Sequence, residues 1–204
     1  MTALDLYLAS ASPRRYELLQ QLVTDFRVLP ADIVEVRADH ESAESYVQRL
    51  AGEKANAVRG ILFRQNQWFE NTATLGSDTI VTIRSGHKRQ VLEKPNDFQH
   101  FRQMMHTLSG RSHEVMTAVH LCSAVGSWQA LVTTEVTFAE LSEMQIESYW
   151  RTGEPQDKAG GYGIQGQAGK FVRHIAGSYS AVVGLPLFET DQLIQQWRQQ
   201  LNVE

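Results

Sequence analysis

Apolar and polar positions along the chain follow two periods, and the switches between them outline the elements. Residues 4 to 9 form a short apolar run that predicts a buried first strand. Ser12 followed by Pro13 has the form of an N-cap and a first helical position, so a helix over 13 to 22 should follow. A strand is expected at Phe26 to Leu29, then a loop from Asp32 to Asp39. From about Glu41 to Arg59, the residues Ala43, Val47, Leu50, Ala51 and Val58 share one stripe of a long amphipathic helix.

Leu75 to Ile83 is rich in β-formers, and Phe98, Phe101, Met105 and Leu108 recur at helical spacing behind a cap at Asn96 or Asp97, with Ser109-Gly110 as the stop. His113 to Leu121 and Ala130 to Phe138 predict a hairpin turning at Gly126-Ser127. Ser142 and Gln145 form a capping box with Leu141 and Ile146 as its staple, which starts a helix running to about Arg151. Glycines 153, 160, 161, 163, 166 and 169 crowd one stretch and mark a constrained loop. Strand signals return at Lys170 to Ile175, followed by a glycine-punctuated apolar run to Pro186 and a closing helix that buries Leu193, Ile194, Trp197 and Leu201. Interleaved helices and strands with a hairpin predict an α/β fold with a mixed, partly antiparallel sheet flanked by helices. No fixed-period repeat or low-complexity tract interrupts the pattern.

Composition narrows the function classes. Nineteen Lys and Arg against 23 Asp and Glu give a net charge of −4, which argues against a polymeric nucleic-acid partner, because such binding relies on a basic surplus. Over 204 residues, 42% apolar content is enough for a full core, and one domain is the expectation. The lone Cys122 excludes an intrachain disulfide and leaves too few thiolates for a cysteine zinc site, which suits a reducing compartment. The first residues lack a basic segment, and Asp5 breaks an apolar stretch too short to span a bilayer. The expected setting is the cytoplasm, without a membrane partner.

Three placements stand out against this background. Arg14 and Arg15 sit at a helix N-terminus, where each cation is disfavoured by about 0.3 to 1 kcal/mol. Either both point into water, or they and the Ser10 and Ser12 hydroxyls cradle an anion such as a phosphate. Lys54 falls on the apolar stripe of the long helix, either snorkelling or serving a buried site. Asp78 interrupts a strand that otherwise reads as buried, either in a structural salt bridge or in chemistry. Lys94 precedes Pro95 and, with Glu93, reads equally well as loop decoration. Gly161-x-Gly163-x-x-Gly166 matches a dinucleotide fingerprint by letter but neither follows a strand nor opens a helix, so it is discarded. The Gly169-Lys170 pair lacks the hydroxyl and first glycine of a P-loop, and His113 and His120 lack metal-ligand spacing.

Taken together, Leu8 to Arg15, Gly76-Ser77-Asp78-Thr79, Glu93-Lys94-Pro95, Ser109 to His113 with Thr117, and Lys158 to Gly166 resemble the Maf family of nucleoside triphosphate pyrophosphatases, in order along nearly the whole chain. The resemblance implies a fold related to the inosine triphosphate pyrophosphatases, one domain over residues 1–204 with two lobes around a cleft, a homodimer, and a divalent cation, Mg²⁺ or Mn²⁺. It makes Asp78 the catalytic acid. Ser10, Arg14, Arg15, Lys54 and Lys94 become phosphate contacts, and Glu35, with Asp78, a metal ligand. Substrate choice would rest on Arg14, Thr79 and Gln165, and Thr79 with Gln165 is similar to the subgroup acting on dTTP and UTP. A Gln offers the donor and acceptor that the O4 and N3–H edge of uracil or thymine requires. The competing expectations are 7-methyl-GTP as substrate, or a nucleotide-binding regulator of cell division in which hydrolysis is incidental. Ser77 and Gly161 stand where alanine is common, and residues 64–72 look slightly long.

Overall fold

The computed structural model describes residues 4–86 and 88–202. Residues 1–3, the start of the stretch judged not to be a signal, lie outside them. In chain order the elements are β1 (Asp5–Leu8), α1 (Pro13–Leu19), β2 (Arg27–Val28), α2 (Ala43–Arg64), β3 (Thr72–Ser85), β4 (Lys88–Leu92), α3 (Phe98–Leu108), β5 (Ser112–Ser123), β6 (Ser127–Phe138), α4 (Glu143–Trp150), β7 (Val172–Ala176), α5 (Tyr179–Val183) and α6 (Leu187–Gln200), with three 3₁₀ turns between α4 and β7. Strand order in the sheet is β2-β1-β3-β5-β6-β7, and β4 pairs with β3. β1 runs parallel to β2 and β3, whereas β3 with β4 and β6 with β7 are antiparallel, so the expected mixed α/β sheet is present.

The chain divides into two compact units: residues 1–78, 117–132 and 184–204, and residues 79–116 and 133–183. In the first, Leu8 pairs with Leu75 and the chain leaves β1 through Ala9, whose N–H donates to the Leu75 carbonyl at 2.8 Å. Ser12 caps α1 as its sequence predicts, but the helix closes at Leu19 and the remaining residues to 22 form turns. Ser42 caps α2, whose buried stripe holds the five predicted positions and continues to Leu62, five residues beyond the expected end at Arg59 to the helix terminus at Arg64. Helix and sheet meet closely at Gly76. A Cβ there would lie 2.2 Å from the Ala51 carbonyl oxygen, so only hydrogen fits between β3 and α2.

The second unit has its own core of Val81, Phe101, Met105, Val136, Phe138, Tyr149, Tyr162 and Phe171 among others. Asp97 caps α3 through a 2.8 Å bond from the His100 N–H, and both halves of the predicted capping box at Ser142 and Gln145 are formed. Two elements go beyond the sequence pattern. β4 is carried by Lys88-Arg89-Gln90-Val91-Leu92, too polar to register as a strand, and it forms because β3 offers it an antiparallel edge. α5 occupies part of the glycine-punctuated apolar run, to which the pattern assigns no element, held by the Ser178 hydroxyl accepting from the Ala181 N–H at 3.2 Å. Lys170 belongs to a 3₁₀ turn and β7 starts two residues later. Leu201, expected in the core, is half-buried.

Candidate active site

The first unit gathers a charged cluster just past the end of β1 and at the middle of β3. β3 carries Gly76 and Asp78 on one face, and because Gly76 admits α2 so closely, the helix brings Lys54 onto Asp78. The Lys54 ammonium donates to Asp78 Oδ1 at 2.6 Å and lies 2.6 Å from Glu35 Oε1. Lys54 and Asp78 side chains are about nine-tenths buried, and Glu35, in the loop before α2, is 36% exposed. The stripe position of Lys54 therefore reflects a buried ion pair and not snorkelling. Desolvation of this kind is costly unless the charges meet at hydrogen-bond distance, as they do here. Burial pushes the Asp78 carboxyl up from the ordinary carboxylate range and Glu35 adds to the push, against the pull of Lys54 and Arg15.

Of the two arginines at the start of α1, Arg15 is the one tied down. Its Nε donates to the Gly184 carbonyl at 2.9 Å and Nη1 to the Ser10 hydroxyl at 3.4 Å, and its charge is felt at Asp78. Ser10 also accepts from the Ser12 N–H at 3.2 Å. Arg14 is half-buried on the same turn. On the other face of β3, the buried Ser77 hydroxyl lies 2.9 Å from the Ala118 carbonyl and 3.0 Å from that of Gly184, a contact the sequence does not announce.

The loop bearing Glu35 is pinned from α2. Arg49 grips both Glu41 carboxylate oxygens at 2.8 Å and donates to the Val36 carbonyl at 3.0 Å, while the Tyr46 hydroxyl donates to the Glu35 carbonyl at 3.3 Å. This bidentate grip holds the Glu41 carboxyl down to about 2. Glu53, one turn further along α2, pairs with Arg49 at 3.0 Å.

Thr79, Lys94 and Gln165 belong to the second unit. Thr79 is half-buried, whereas Lys94 and Gln165 are exposed. Gln165 sits in the glycine-rich loop, which is fixed by side chains that spacing alone does not reveal. The Tyr149 hydroxyl donates to Glu154 Oε1 at 2.8 Å and accepts from the Gly163 N–H at 3.1 Å, and Glu154 Oε2 accepts from the Gln167 N–H at 2.9 Å. Lys158 donates to the Glu154 carbonyl at 2.8 Å, and the Gly160 N–H to that of Glu93 at 3.1 Å. His113 is buried, as a core histidine should be, with Nε2 2.7 Å from the Tyr162 hydroxyl. His120 is 2.8 Å from the Ser127 hydroxyl.

Among the described residues no group of three or more His, Cys, Asp or Glu side chains could hold a metal ion. Glu35 and Asp78 nevertheless converge on one point, since both lie 2.6 Å from the same Lys54 nitrogen. Two carboxylates without a third suit a cation of the Mg²⁺ type, which takes one or two protein carboxylates and completes its shell with water and phosphate oxygens. No helix among the described residues is long and apolar enough to cross a membrane.

Comparison with known proteins gives this cluster a context. The family described as "Maf-like protein" matches residues 5–197. A protein of Yersinia pestis bv. Antiqua named dTTP/UTP pyrophosphatase is 52% identical over 203 residues, covering 100% of this chain and 97% of the relative. One of the same name from Photobacterium profundum is 48% identical over 195 residues, covering 96% and 97%. Among solved structures, a HAM1 protein from Coxiella burnetii has a TM-score of 0.48 at 13% identity, covering 95% of this chain and 100% of that one, too distant to carry an argument. With a family match across nearly its whole length and relatives half identical to it from end to end, the chain belongs to the Maf family.

Proposed function

We propose that this protein hydrolyses dTTP and UTP to the nucleoside monophosphate and pyrophosphate. The observation that carries the proposal is the convergence of the buried Lys54 and Asp78 with Glu35, in a chain about half identical over its full length to relatives named dTTP/UTP pyrophosphatase. Water attacks one phosphorus of the α–β anhydride in line, its bond to the bridging oxygen breaks so that this oxygen leaves with the phosphate not attacked, the monophosphate and pyrophosphate separate, and the water's proton is taken up by a base. Asp78 serves as that base or orients the water. Its burial helps, because a carboxyl with a raised pKa accepts a proton more readily than an ordinary one. Arg15, Lys54 and Lys94, with Arg14 and Ser10, hold the phosphate oxygens, so that most of the rate comes from positioning and charge neutralisation. Glu35 and Asp78 would hold a Mg²⁺ or Mn²⁺ ion, which when bound supplies further neutralisation of the triphosphate charge. Gln165 reads the O4 and N3–H edge of the base, and Thr79 and Arg14 complete the selection. The reading extends to a cytoplasmic homodimer, and light scattering at assay concentration tests the dimer.

The direct test is Asp78→Asn. Turnover of dTTP and UTP should fall at least about a thousandfold with the circular dichroism spectrum retained, and near-normal pyrophosphate release would remove Asp78 from the mechanism. A panel of dTTP, UTP, CTP and 7-methyl-GTP tests the base: the first two should be preferred, and preference for the methylated purine would overturn the assignment of Thr79 and Gln165.

A further inference from the structure

Gln165 meets a difficulty as a reader of uracil and thymine. Guanine presents the same pair of groups, an acceptor at O6 and a donor at N1–H, but sets them farther from the sugar because its ring system is larger. One amide can satisfy either base, so discrimination depends on where the amide is held. The backbone carrying it must therefore be fixed in position, and a polar, glycine-rich loop does not achieve that by its own preferences.

The second unit supplies the missing restraint. Gly163 and Gln167 flank Gln165 two residues away on either side. The Gly163 N–H is bound by the Tyr149 hydroxyl and the Gln167 N–H by Glu154 Oε2, at 3.1 and 2.9 Å, while Tyr149 donates to the other Glu154 oxygen at 2.8 Å. One hydroxyl and one carboxylate thus tie both flanks of the loop to each other. Tyr149 is anchored in turn: its ring is 1% exposed and packs edge-on against Phe171 with centroids 5.4 Å apart. Burial pushes its phenol up, which keeps the hydroxyl a donor to the carboxylate. Gly166 fits the same device, since a Cβ there would lie 2.1 Å from Glu154 Oε1 and 2.4 Å from Oε2, in the space the carboxylate fills.

We infer that Glu154 and Tyr149 are positioning residues for base selection, a clamp that sets the reach of Gln165 so that its amide meets a pyrimidine edge and not that of guanine. This rests on the reading of Gln165 given above. The clamp is built from the second unit's own groups and includes none of the residues assigned above to the phosphates or to the water, so its loss acts on selection more than on chemistry.

The test compares kcat and KM for dTTP and dGTP in four variants, with a melting curve for each. Tyr149→Phe keeps the ring in the core and removes only the hydroxyl, and Glu154→Ala removes the carboxylate. In both, the ratio of kcat/KM for dTTP over dGTP should fall at least about tenfold, with KM for dTTP rising by more than kcat falls. Glu154→Gln keeps an acceptor for Gln167 and a polar partner for Tyr149, and should recover most of the ratio. Gln165→Ala removes the reader itself. If Tyr149→Phe and Glu154→Ala melt lower yet keep the ratio while Gln165→Ala collapses it, the clamp is merely structural and the inference is overturned. If Glu154→Ala does not fold, Tyr149→Phe decides by the same criterion. A ratio unmoved in Gln165→Ala removes the reading of Gln165, and the inference with it.

Discussion

Gly76→Ala sets a methyl group on β3 against helix α2 and Gly52→Ala sets one on α2 itself, facing His120, and the structure assigns them opposite outcomes. At Gly76 the added carbon would lie 2.2 Å from the Ala51 carbonyl oxygen and 2.7 Å from the Ala55 nitrogen, both backbone atoms that cannot rotate away. A carbon and a carbonyl oxygen rest at about 3.3 Å or more, so α2 must retreat from β3 by about 1 Å. Such overpacking costs roughly 1 to 3 kcal/mol, which in a chain of this size lowers the melting temperature by roughly 3 to 10 °C. The same retreat carries Lys54 away from Asp78, and a misplacement of that size can cost about a hundredfold in rate. At Gly52 the nearest atom to a new Cβ is His120 Nδ1 at 3.5 Å, an ordinary contact, and the residue is mid-helix. Alanine there should stabilise the protein by about 0.5 to 1 kcal/mol and leave kcat/KM near its starting value. Differential scanning fluorimetry and initial rates of pyrophosphate release from dTTP measure both. A Gly76→Ala protein that melts and turns over like the parent would refute the account of how Lys54 is placed.

Two further predictions concern pH and the loop before α2. Burial holds the His113 imidazole down to about 4, against 6.5 when exposed. The unfolded chain therefore takes up a proton between those values that the folded chain refuses. Stability is complete above pH 6.5 and falls by about 3 kcal/mol as the pH drops from 6.5 to 4, a slope in urea midpoints that His113→Asn should flatten. Arg49→Lys loses the two-pronged grip on Glu41 and cannot also reach Val36 in the same geometry, so the Glu35 loop should loosen. Faster amide exchange at residues 35 to 38 with an activity loss of about three- to tenfold is expected; unchanged exchange would show that Arg49 does not hold the loop.

Periodicity exposed the two residues that form the centre of the cluster. Lys54 is visible because seven- and four-residue spacings put it on the stripe of Val47 and Leu50, and Asp78 because it breaks a run of β-formers. Both bland readings, a snorkelling lysine and a structural salt bridge, were available from the same pattern. Only the 2.6 Å contact joins the two residues, since nothing local relates positions 24 apart. Arg14 and Arg15 are adjacent, and spacing could not say which one turns toward Ser10; the Gly184 carbonyl decides it from a distant part of the chain. Glu35 lies in a loop without periodicity, so only the family resemblance pointed to it. The clamp at Tyr149 and Glu154 was hidden for another reason: the tyrosine reads as core and the glutamate as loop polarity, and both descriptions are correct as far as they go. β4 went unseen because an edge strand is specified by its partner more than by its own composition.

The carbonyl of Gly184 ties the order of the charged cluster to a distant part of the chain. Its backbone, at φ +133°, adopts a conformation that side chains other than glycine's rarely accept. Into that one oxygen run the Arg15 guanidinium, from the beginning of the chain, and the Ser77 hydroxyl, beside Asp78. That oxygen joins groups 169 and 107 residues away in sequence, so the Arg15 contact forms only when the segment carrying Gly184 has folded back onto the start of α1 and onto β3. Without that acceptor the first turn of α1 and the middle of β3 would lose the one backbone oxygen to which both Arg15 and Ser77 donate. The placement of Arg15 near Asp78 is therefore a property of the first unit as a whole and not of its opening segment.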